Sequence, residues 1–298
     1  MPIVNQKKLL DLENILCCPI SRSSLKRIDK TQLKNKITFH HDFGIDWNLL
    51  TGFWISKKNK LYYPEIEGVP IVLRDLFFSL NGESLEQARV DIDINPFTYY
   101  KENNQIYYQQ YAEIMNWKTR FFLTNIRKDD DLIVELLSSD GYTLNALREK
   151  YPNKTYLGLD VDFSAAKRML SKGILAVCAD LRFPIFQDNT IDYLFSNSIH
   201  HLPNNTKDIF HNSYNALRVN GIYCGIEAHG NLSKLLLKII GSIPHRILPF
   251  ILTEIKNEKE LLKSWLSVSI EQMLSEAEIK IVEINKTLTH VKYKFIKD

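Results

Sequence analysis

The sequence predicts an α/β protein, in which a sheet of mostly parallel strands with crossover helices follows a small β-rich domain. From Asp131 to His201, apolar strand-like runs alternate with helical patterns, which is how parallel sheets are encoded. Residues 15–73 instead contain short alternating β runs, with a turn at Glu67-Gly68. Because ligands bind at the carboxyl ends of parallel strands, we expect the ligand chemistry within Asp131–His201.

The composition is typical of a globular protein of the cytoplasm. A chain of 298 residues is long enough for one large domain or two modest ones, and the formal charge of +3 does not indicate a nucleic-acid partner. No apolar run is long enough to span a bilayer, and the amino terminus is too charged for a signal peptide. The four cysteines do not form a disulfide pattern, and we expect Cys178 and Cys224 to be small core residues.

We divide the chain into three parts. Residues 1–75 are expected to form the β-rich domain, residues 76–128 a helical linker or lid, and residues 129–298 the α/β domain, with an apolar insertion at about 231–265. From Tyr107 onward the linker has tyrosine and apolar residues at helical spacing, which favours an amphipathic helix packed on the large domain. The alternative is a lid whose tyrosines face the ligand, namely Tyr99, Tyr100 and Tyr108.

The α/β domain is predicted to contain five strands, with helices after the first, second and fourth of them, followed by two closing strand-like runs. The helix after the fourth strand is expected to end at Asn220-Gly221, where Asn220 can take a positive φ. A further helix is predicted over Glu258–Ala277. The predicted strands are Leu132–Leu137, Thr155–Leu159, Ile174–Cys178, Ile191–Asn197, Ile222–Ala228, Lys280–Leu288 and Val291–Ile296.

Polar side chains lie at or just past the ends of these strands. Asp160 ends the second strand, where a carboxylate is suited to accept hydrogen bonds from ribose hydroxyls. The alternative is a helix N-cap, a role that fits Asp162 better. His200 and His201 follow the fourth strand, and either is a candidate general base because the pKa of histidine is near neutral. The alternative is that neither histidine is catalytic.

The order of these motifs resembles that of class I S-adenosylmethionine-dependent methyltransferases of the type 11 kind. The resemblance covers Asp129 to the carboxyl terminus, and its most specific string is Asp188-Asn189-Thr190-Ile191-Asp192, which is similar to the family's Asp-x-Ser-Phe-Asp. It implies a Rossmann-like sheet of seven strands. It also implies S-adenosyl-L-methionine as cofactor, with S-adenosyl-L-homocysteine as product.

The resemblance also implies where the cofactor is held. Asp160 would accept from the ribose hydroxyls, Asp180 would accept from the adenine amine, and the N–H of Leu181 would meet the ring. One loop departs from the family's Gly-x-Gly-x-Gly, because Leu137 and Ser139 replace two glycines and each adds a Cβ. The complete set of cofactor-binding candidates is Glu135, Leu137, Ser139, Gly141, Asp160, Val161, Asp180, Leu181 and Asn197.

The amino-terminal part resembles the small zinc-ribbon-like family of methyltransferase activators. Cys18-Pro19 matches the family's start, and the Tyr63–Leu73 run matches its end. Ser21 stands where the family has a second cysteine, and Leu50–Tyr63 contains no cysteine at all. A structural zinc site needs four thiolate or imidazole ligands, so we expect no metal here, although His40 and His41 are further possible ligands.

These observations leave three hypotheses for function. The first is S-adenosylmethionine-dependent methyl transfer to an oxygen, nitrogen or carbon of a small-molecule acceptor, as in specialised metabolism. The second is a methyltransferase-fold enzyme of non-methylating chemistry, such as a cyclase, which the substituted glycine loop would explain. The third is a pseudo-enzyme or binding module that uses the apolar insertion and the amino-terminal part as contact surfaces.

Overall fold

A computed structural model describes residues 12–33, 37–39, 47–74, 76, 78–80, 96–97, 112–197, 199, 206–228, 269–287 and 290–298. The strands in these ranges are β1 Leu25–Asp29, β2 Ile37–Phe39, β3 Leu50–Ser56, β4 Leu61–Ile66, β5 Val69–Val72, β6 Phe78–Leu80, β7 Leu132–Leu136, β8 Thr155–Asp160, β9 Leu175–Ala179, β10 Ile191–Asn197, β11 Leu217–Ala228, β12 Glu283–Lys286 and β13 His290–Ile296. The helices are α1 Ala112–Asn125, α2 Tyr142–Lys150, α3 Phe163–Ser171, α4 Thr206–Ala216 and α5 Ile270–Glu276, with short 3-10 turns at Lys30–Leu33 and Trp47–Leu49. No helix in these ranges is long and apolar enough to cross a membrane.

The carboxyl-terminal part contains a seven-stranded sheet in the order β9-β8-β7-β10-β11-β13-β12. The first five of these strands are mutually parallel, and β13 runs antiparallel between β11 and β12. Helices join β7 to β8, β8 to β9 and β10 to β11, so the arrangement is a Rossmann-like α/β fold. The predicted fold class is therefore confirmed.

Helices cover both faces of this sheet, which explains why its central strands are apolar throughout. On one face, Phe122 of α1 and Met169 of α3 are buried in the cluster that contains Tyr193 and Phe195 of β10. On the other face α4 and α5 pack on each other and on the sheet. The buried side chains of that second face include Ile209, Phe210, Met273, Leu274, Leu194, Tyr223, Tyr293 and Phe295.

The boundary between α4 and β11 differs from the prediction. The helix ends at Ala216 and the strand begins at Leu217, so the expected helix end at Asn220-Gly221 is wrong. The chain turns within the strand instead: Asn220 has a φ of 63°, as predicted, and a Cβ on Gly221 would lie 2.8 Å from the Arg218 carbonyl. The Asn-Gly pair, which is typical of helix ends, therefore marks a tight backbone turn inside a strand here.

Some other sequence predictions are confirmed, and some concern residues that the structure does not describe. The strand Ile191–Asn197 is confirmed, and Cys178 and Cys224 are buried as predicted. Of the helix expected over Glu258–Ala277, residues 269–277 fall in the ranges above, and Ile270–Glu276 are helical. The apolar insertion and the tyrosines of the suggested lid lie outside the described residues.

The amino-terminal β unit joins the large sheet directly. Strand β5 pairs in parallel with β9, with Ile71 opposite Cys178 and Val72 opposite Ala179. A second contact lies nearby, where Leu16 forms a bridge to Phe186. Because an uncovered edge strand exposes unpaired N–H and C=O groups, this pairing also protects the β9 edge from pairing with other chains.

Replacing Leu16 by alanine should destabilise both parts of the protein together. Leu16 is fully buried in a cluster that includes residues of the amino-terminal unit and of the large sheet. The cavity left by a buried Leu→Ala change costs roughly 2–5 kcal/mol of the free energy of unfolding. Urea unfolding, followed by tryptophan fluorescence and far-UV circular dichroism, measures the loss. The control Ile20→Ala, at a side chain that is 37% exposed, should stay within about 0.5 kcal/mol of wild type. A loss in Leu16→Ala as small as the control's would contradict the coupling.

Candidate functional site

The loop that joins β7 to α2 has an unusual backbone. Leu137, Ser139 and Gly141 have φ values of 54°, 49° and 72°, so alternate residues are left-handed. Residues with a Cβ avoid this conformation, and each such residue costs on the order of 1–3 kcal/mol. Two non-glycine residues therefore keep the conformations that glycine adopts most easily, and the surrounding structure has to enforce them.

Hydrogen bonds from the neighbouring strand β8 hold this loop in place. The N–H of Ser138 donates to the Leu159 carbonyl at 2.9 Å, and the Leu159 N–H donates back to Ser138 Oγ at 3.0 Å. The same hydroxyl donates to the Glu135 carbonyl at 2.6 Å, and the Gly141 N–H donates to the Ser138 carbonyl at 2.8 Å. Ser138 is thus the residue that pins the loop, although the sequence alone gave it no role.

Asp160, at the end of β8, also braces the loop. Its Oδ2 accepts from the Ser139 N–H at 2.8 Å, and its Oδ1 accepts from the Asp162 N–H at 3.0 Å. The carboxyl is buried, and burial raises its pKa to about 6. Asp162 in turn caps α3, as its position predicts, by accepting from the N–H groups of Ser164 and Ala165.

Glu135 lies beneath the loop with an unsatisfied oxygen. Its side chain is buried, and Oε2 has no hydrogen-bond partner among the residues that the structure describes. Burial raises the pKa of Glu135 well above its usual value, and the nearby charges of Asp140 and Asp160 raise it further. Thr143 lies close enough for its hydroxyl to lower that pKa in part, and Lys172 pairs with Asp140 Oδ2 at 2.8 Å while Asp140 Oδ1 has no partner among the described residues. Buried polar oxygens are normally hydrogen-bonded, so this cluster calls for a ligand that donates hydrogen bonds or carries positive charge.

Asp180, which follows β9, is engaged by a neighbouring arginine. The guanidinium of Arg182 lies 2.6 Å from Asp180 Oδ2 and also donates through Nε to Oδ1 at 3.0 Å. Arg74, from the end of the amino-terminal sheet, lies 5.0 Å above the ring of Phe183. The amino-terminal unit therefore reaches the part of the edge where the resemblance implies adenine. The next residue, Leu181, is buried.

A lysine that sequence reasoning missed lies at the end of β10. Lys118 of α1 donates to Asn197 Oδ1 at 2.9 Å, and burial lowers its pKa to about 8. Glu227, whose charge partly offsets that effect, accepts from the Ile199 N–H at 3.1 Å and from the Tyr293 hydroxyl at 3.2 Å. A signal was available, because Lys118 falls in the apolar stripe of a predicted amphipathic helix, where a charged residue is unexpected.

Most of the predicted site residues meet at one edge of the sheet. Strand order places the ends of β9, β8, β7 and β10 side by side, and Ser139 is bonded to Asp160 across two of them. Val161 follows Asp160, and its carbonyl accepts from the Cys178 thiol at 3.2 Å. The candidate bases His200 and His201 lie outside the part of the chain that the structure describes.

Comparison with protein families agrees with this geometry. Residues 134–225 match the family model described as a methyltransferase domain. This part of the chain is similar to methyltransferase domains. The matched range contains the left-handed loop together with Asp160, Asp180 and Asn197. Comparison with curated protein sequences gives no match.

Several solved structures are similar to part of this chain at low sequence identity. Geranyl diphosphate C-methyltransferase of Streptomyces coelicolor is 11% identical, with a TM-score of 0.47 over 62% of this chain and 78% of its own. Phosphoethanolamine N-methyltransferase 2 of Haemonchus contortus is 13% identical, with a TM-score of 0.45 over 60% and 52% of the two chains. The PH0226 protein of Pyrococcus horikoshii is 15% identical, with a TM-score of 0.45 over 67% and 95%. The fold assignment rests on the strand order and on the family match.

In the amino-terminal unit, four residues surround the place where the resemblance would put zinc. Cys18 and Ser21 form one pair separated by two residues, and Ser56 and Asn59 form another. Ser21 Oγ and Ser56 Oγ are 3.3 Å apart, Ser56 Oγ donates to Asn59 Oδ1 at 3.3 Å, and Asn59 Nδ2 lies 4.0 Å from Cys18 Sγ. One thiol, two hydroxyls and an amide are a poor donor set for Zn²⁺. These residues do not fit the metal, and hydrogen bonds link them instead.

Restoring thiols at this cluster should create a zinc site. The triple variant Ser21→Cys, Ser56→Cys and Asn59→Cys would place four thiols around one point, and it should bind about one zinc ion per chain at pH 7. Metal analysis after dialysis measures the stoichiometry, and thermal unfolding with and without a chelator measures the gain in stability. Ser21→Cys alone supplies only two thiols and should remain zinc-free. A triple variant that stays zinc-free while folded would show that the four positions do not converge.

Replacing Glu135 by glutamine should stabilise the protein above acidic pH. The pKa of Glu135 is raised in the folded state, so the unfolded chain releases its proton at lower pH than the folded protein does. Wild-type stability therefore falls as pH rises above the unfolded pKa of about 4.5, and Glu135→Gln removes that loss. Urea unfolding at pH 4.5 and pH 7.5 should show an advantage for the variant only at the higher pH. The exposed control Glu149→Gln should show no such pH-dependent gain. An equal gain in stability for both variants would contradict a raised pKa at Glu135.

Proposed function

We propose that this protein transfers a methyl group from S-adenosyl-L-methionine to an oxygen, nitrogen or carbon of a small-molecule acceptor. The observation that carries the proposal is the backbone of the loop after β7. At the three positions where the family has glycine, Leu137, Ser139 and Gly141 all have positive φ. The main chain thus follows a glycine-type path although two of the glycines have been replaced.

The residues present are compatible with the cofactor. The side chain of Leu137 packs against the hydrophobic core cluster, which gives its additional bulk a place within the protein. The unpartnered Oε2 of Glu135 suits a cationic, hydrogen-bond-donating group, and the cofactor carries both an ammonium and a sulfonium. Asp160 already accepts two N–H groups, but a carboxylate offers about four acceptor sites, which leaves capacity for ribose hydroxyls.

In this proposal the protein acts mainly by binding and orienting the reactants. The cofactor, when bound, supplies a methyl group activated by the sulfonium. The loop from Leu137 to Gly141 holds one side of the site, while Asp160 and Asp180 define the other. Asn197, at the end of β10, lies on the acceptor side together with Lys118. Orientation of two bound reactants is able to supply a large part of a transfer rate. Loss of the acceptor's proton, where the nucleophile is oxygen or nitrogen, requires a base, for which His200 and His201 stay predictions.

A second candidate function is a methyltransferase fold that binds no cofactor and either carries out non-methylating chemistry or serves as a binding module. The ion pair between Arg182 and Asp180 favours it, since the guanidinium occupies oxygens that the adenine amine would otherwise approach. The two candidates differ in one simple property, which is the affinity for S-adenosylhomocysteine.

Binding of the cofactor product separates these functions. Wild-type protein should bind S-adenosylhomocysteine in calorimetry, and ligand at about 100 times the dissociation constant should stabilise the fold by about 2.7 kcal/mol. Glu135→Gln should bind about tenfold more weakly, because the ligand's ammonium favours ionisation of the Glu135 carboxyl and a glutamine cannot ionise. Glu149→Gln, on the exposed end of α2, is the matched control and should bind like wild type. A wild-type protein that shows no binding at millimolar ligand would favour the second candidate.

A further inference from the structure

Lys118 is the one buried lysine or arginine among the residues whose side chains the structure describes. It projects from α1 toward the carboxyl end of β10, where it contacts Asn197. The neighbouring side chains of the same helix, Phe121 and Phe122, pack on the sheet face as the amphipathic pattern requires. An apolar residue at position 118 would serve that packing at least as well, so the buried charge calls for another explanation.

The ammonium group has few partners inside the protein. Lys118 Nζ donates one hydrogen bond, to the neutral amide oxygen of Asn197 at 2.9 Å, and lies 5.9 Å from the ring centroid of Trp117. A lysine ammonium has three donors, so two remain for other groups. Within the described ranges it forms no ion pair. Glu227 attracts it through space, while that carboxylate accepts from Ile199 and Tyr293.

Burying a charge without a paired counterion is expensive, and proteins that retain such a group gain something else from it. The lowered pKa of Lys118, to about 8, is the measurable sign of that cost. At neutral pH most of the lysine is still protonated. A charged group of which two donors bind nothing in the described part of the chain, at the carboxyl end of β10, is suited to receive an anion.

We propose that Lys118 Nζ is the recognition point for an anionic oxygen of a ligand bound at the carboxyl end of β10. This inference rests on the proposed function, because the ligand is one of its two reactants. The oxygen belongs either to the carboxylate in the methionine part of the cofactor or to an acidic group of the acceptor, such as a carboxylate, a phenol or an enol. Asn197 holds the lysine in place by accepting a hydrogen bond from its third N–H group.

The first arm of the test decides whether the cofactor supplies the anion. S-adenosylhomocysteine and 5′-methylthioadenosine, which lacks the amino-acid part, are titrated into wild type, Lys118→Met and the exposed control Lys207→Met. Recognition of the cofactor's carboxylate predicts that Lys118→Met weakens the binding of S-adenosylhomocysteine by about tenfold or more. The affinity for 5′-methylthioadenosine should stay within about twofold of wild type. The thermal midpoint of each variant checks folding, and Lys118→Met should be no less stable than wild type because it removes a buried charge.

The second arm decides whether the acceptor supplies the anion. Acetate and benzoate are the probes, titrated into ligand-free protein and into protein saturated with S-adenosylhomocysteine, and followed by NMR shifts of the labelled lysine side chains. Recognition of an acceptor oxygen predicts unchanged binding of S-adenosylhomocysteine in Lys118→Met. It also predicts a shift of the Lys118 signal in wild type that saturates, whereas the signal of Lys207 does not move.

The proposal is overturned if Lys118→Met weakens the binding of both adenosine ligands equally. It is also overturned if the substitution leaves S-adenosylhomocysteine binding unchanged and the Lys118 signal does not shift with acetate or benzoate. If wild type binds neither adenosine ligand, the proposed methyl transfer is refuted, whatever the role of Lys118. The acetate and benzoate titrations of the ligand-free protein then decide Lys118 separately, with saturable binding at this lysine supporting the anion site and its absence refuting it.

Discussion

The left-handed loop after β7 is the constraint on which the rest of the site depends. Leu137 and Ser139 hold positive φ without being glycine, and they keep it because Ser138 and Asp160 bind the loop to β8. The same hydrogen bonds bring Glu135 under the loop and engage the carboxylate that the family resemblance assigns to ribose. Backbone strain, loop geometry and the buried acids therefore form one unit, and a change in any of them affects the others.

The amino-terminal unit borders this site along strand β9. By pairing with β9 it extends the large sheet, buries Leu16 against residues of the other part and brings Arg74 beside Phe183. Inside the unit, hydrogen bonds among Ser21, Ser56 and Asn59 link the positions around Cys18, where the residue types no longer suit a metal. A small β unit needs some such linkage, since its own core is limited.

Acidic and basic side chains are buried at neighbouring strand ends. Glu135 and Asp160 lie under the loop, and Lys118 lies at the end of β10. Burial of each of these three groups costs some of the protein's stability. Acids under the loop and an ammonium at the end of β10 match a pair of ligands in which a cation is held on one side and an anionic oxygen on the other. Stability is thus reduced at the edge where binding is proposed.

Sequence by itself determined the order of strands and helices, the turn at Asn220 and the buried cysteines, because apolar periodicity and φ preferences are local properties. It also located Asp160 and Asp180, which follow directly from strand ends. Only the tertiary structure decided the end of α4, the role of Ser138, the parallel pairing of β5 with β9 and the approach of Lys118 to Asn197. Each of these depends on groups distant in sequence, and the left-handed path at Leu137 in particular is enforced by contacts that no local preference of leucine would predict.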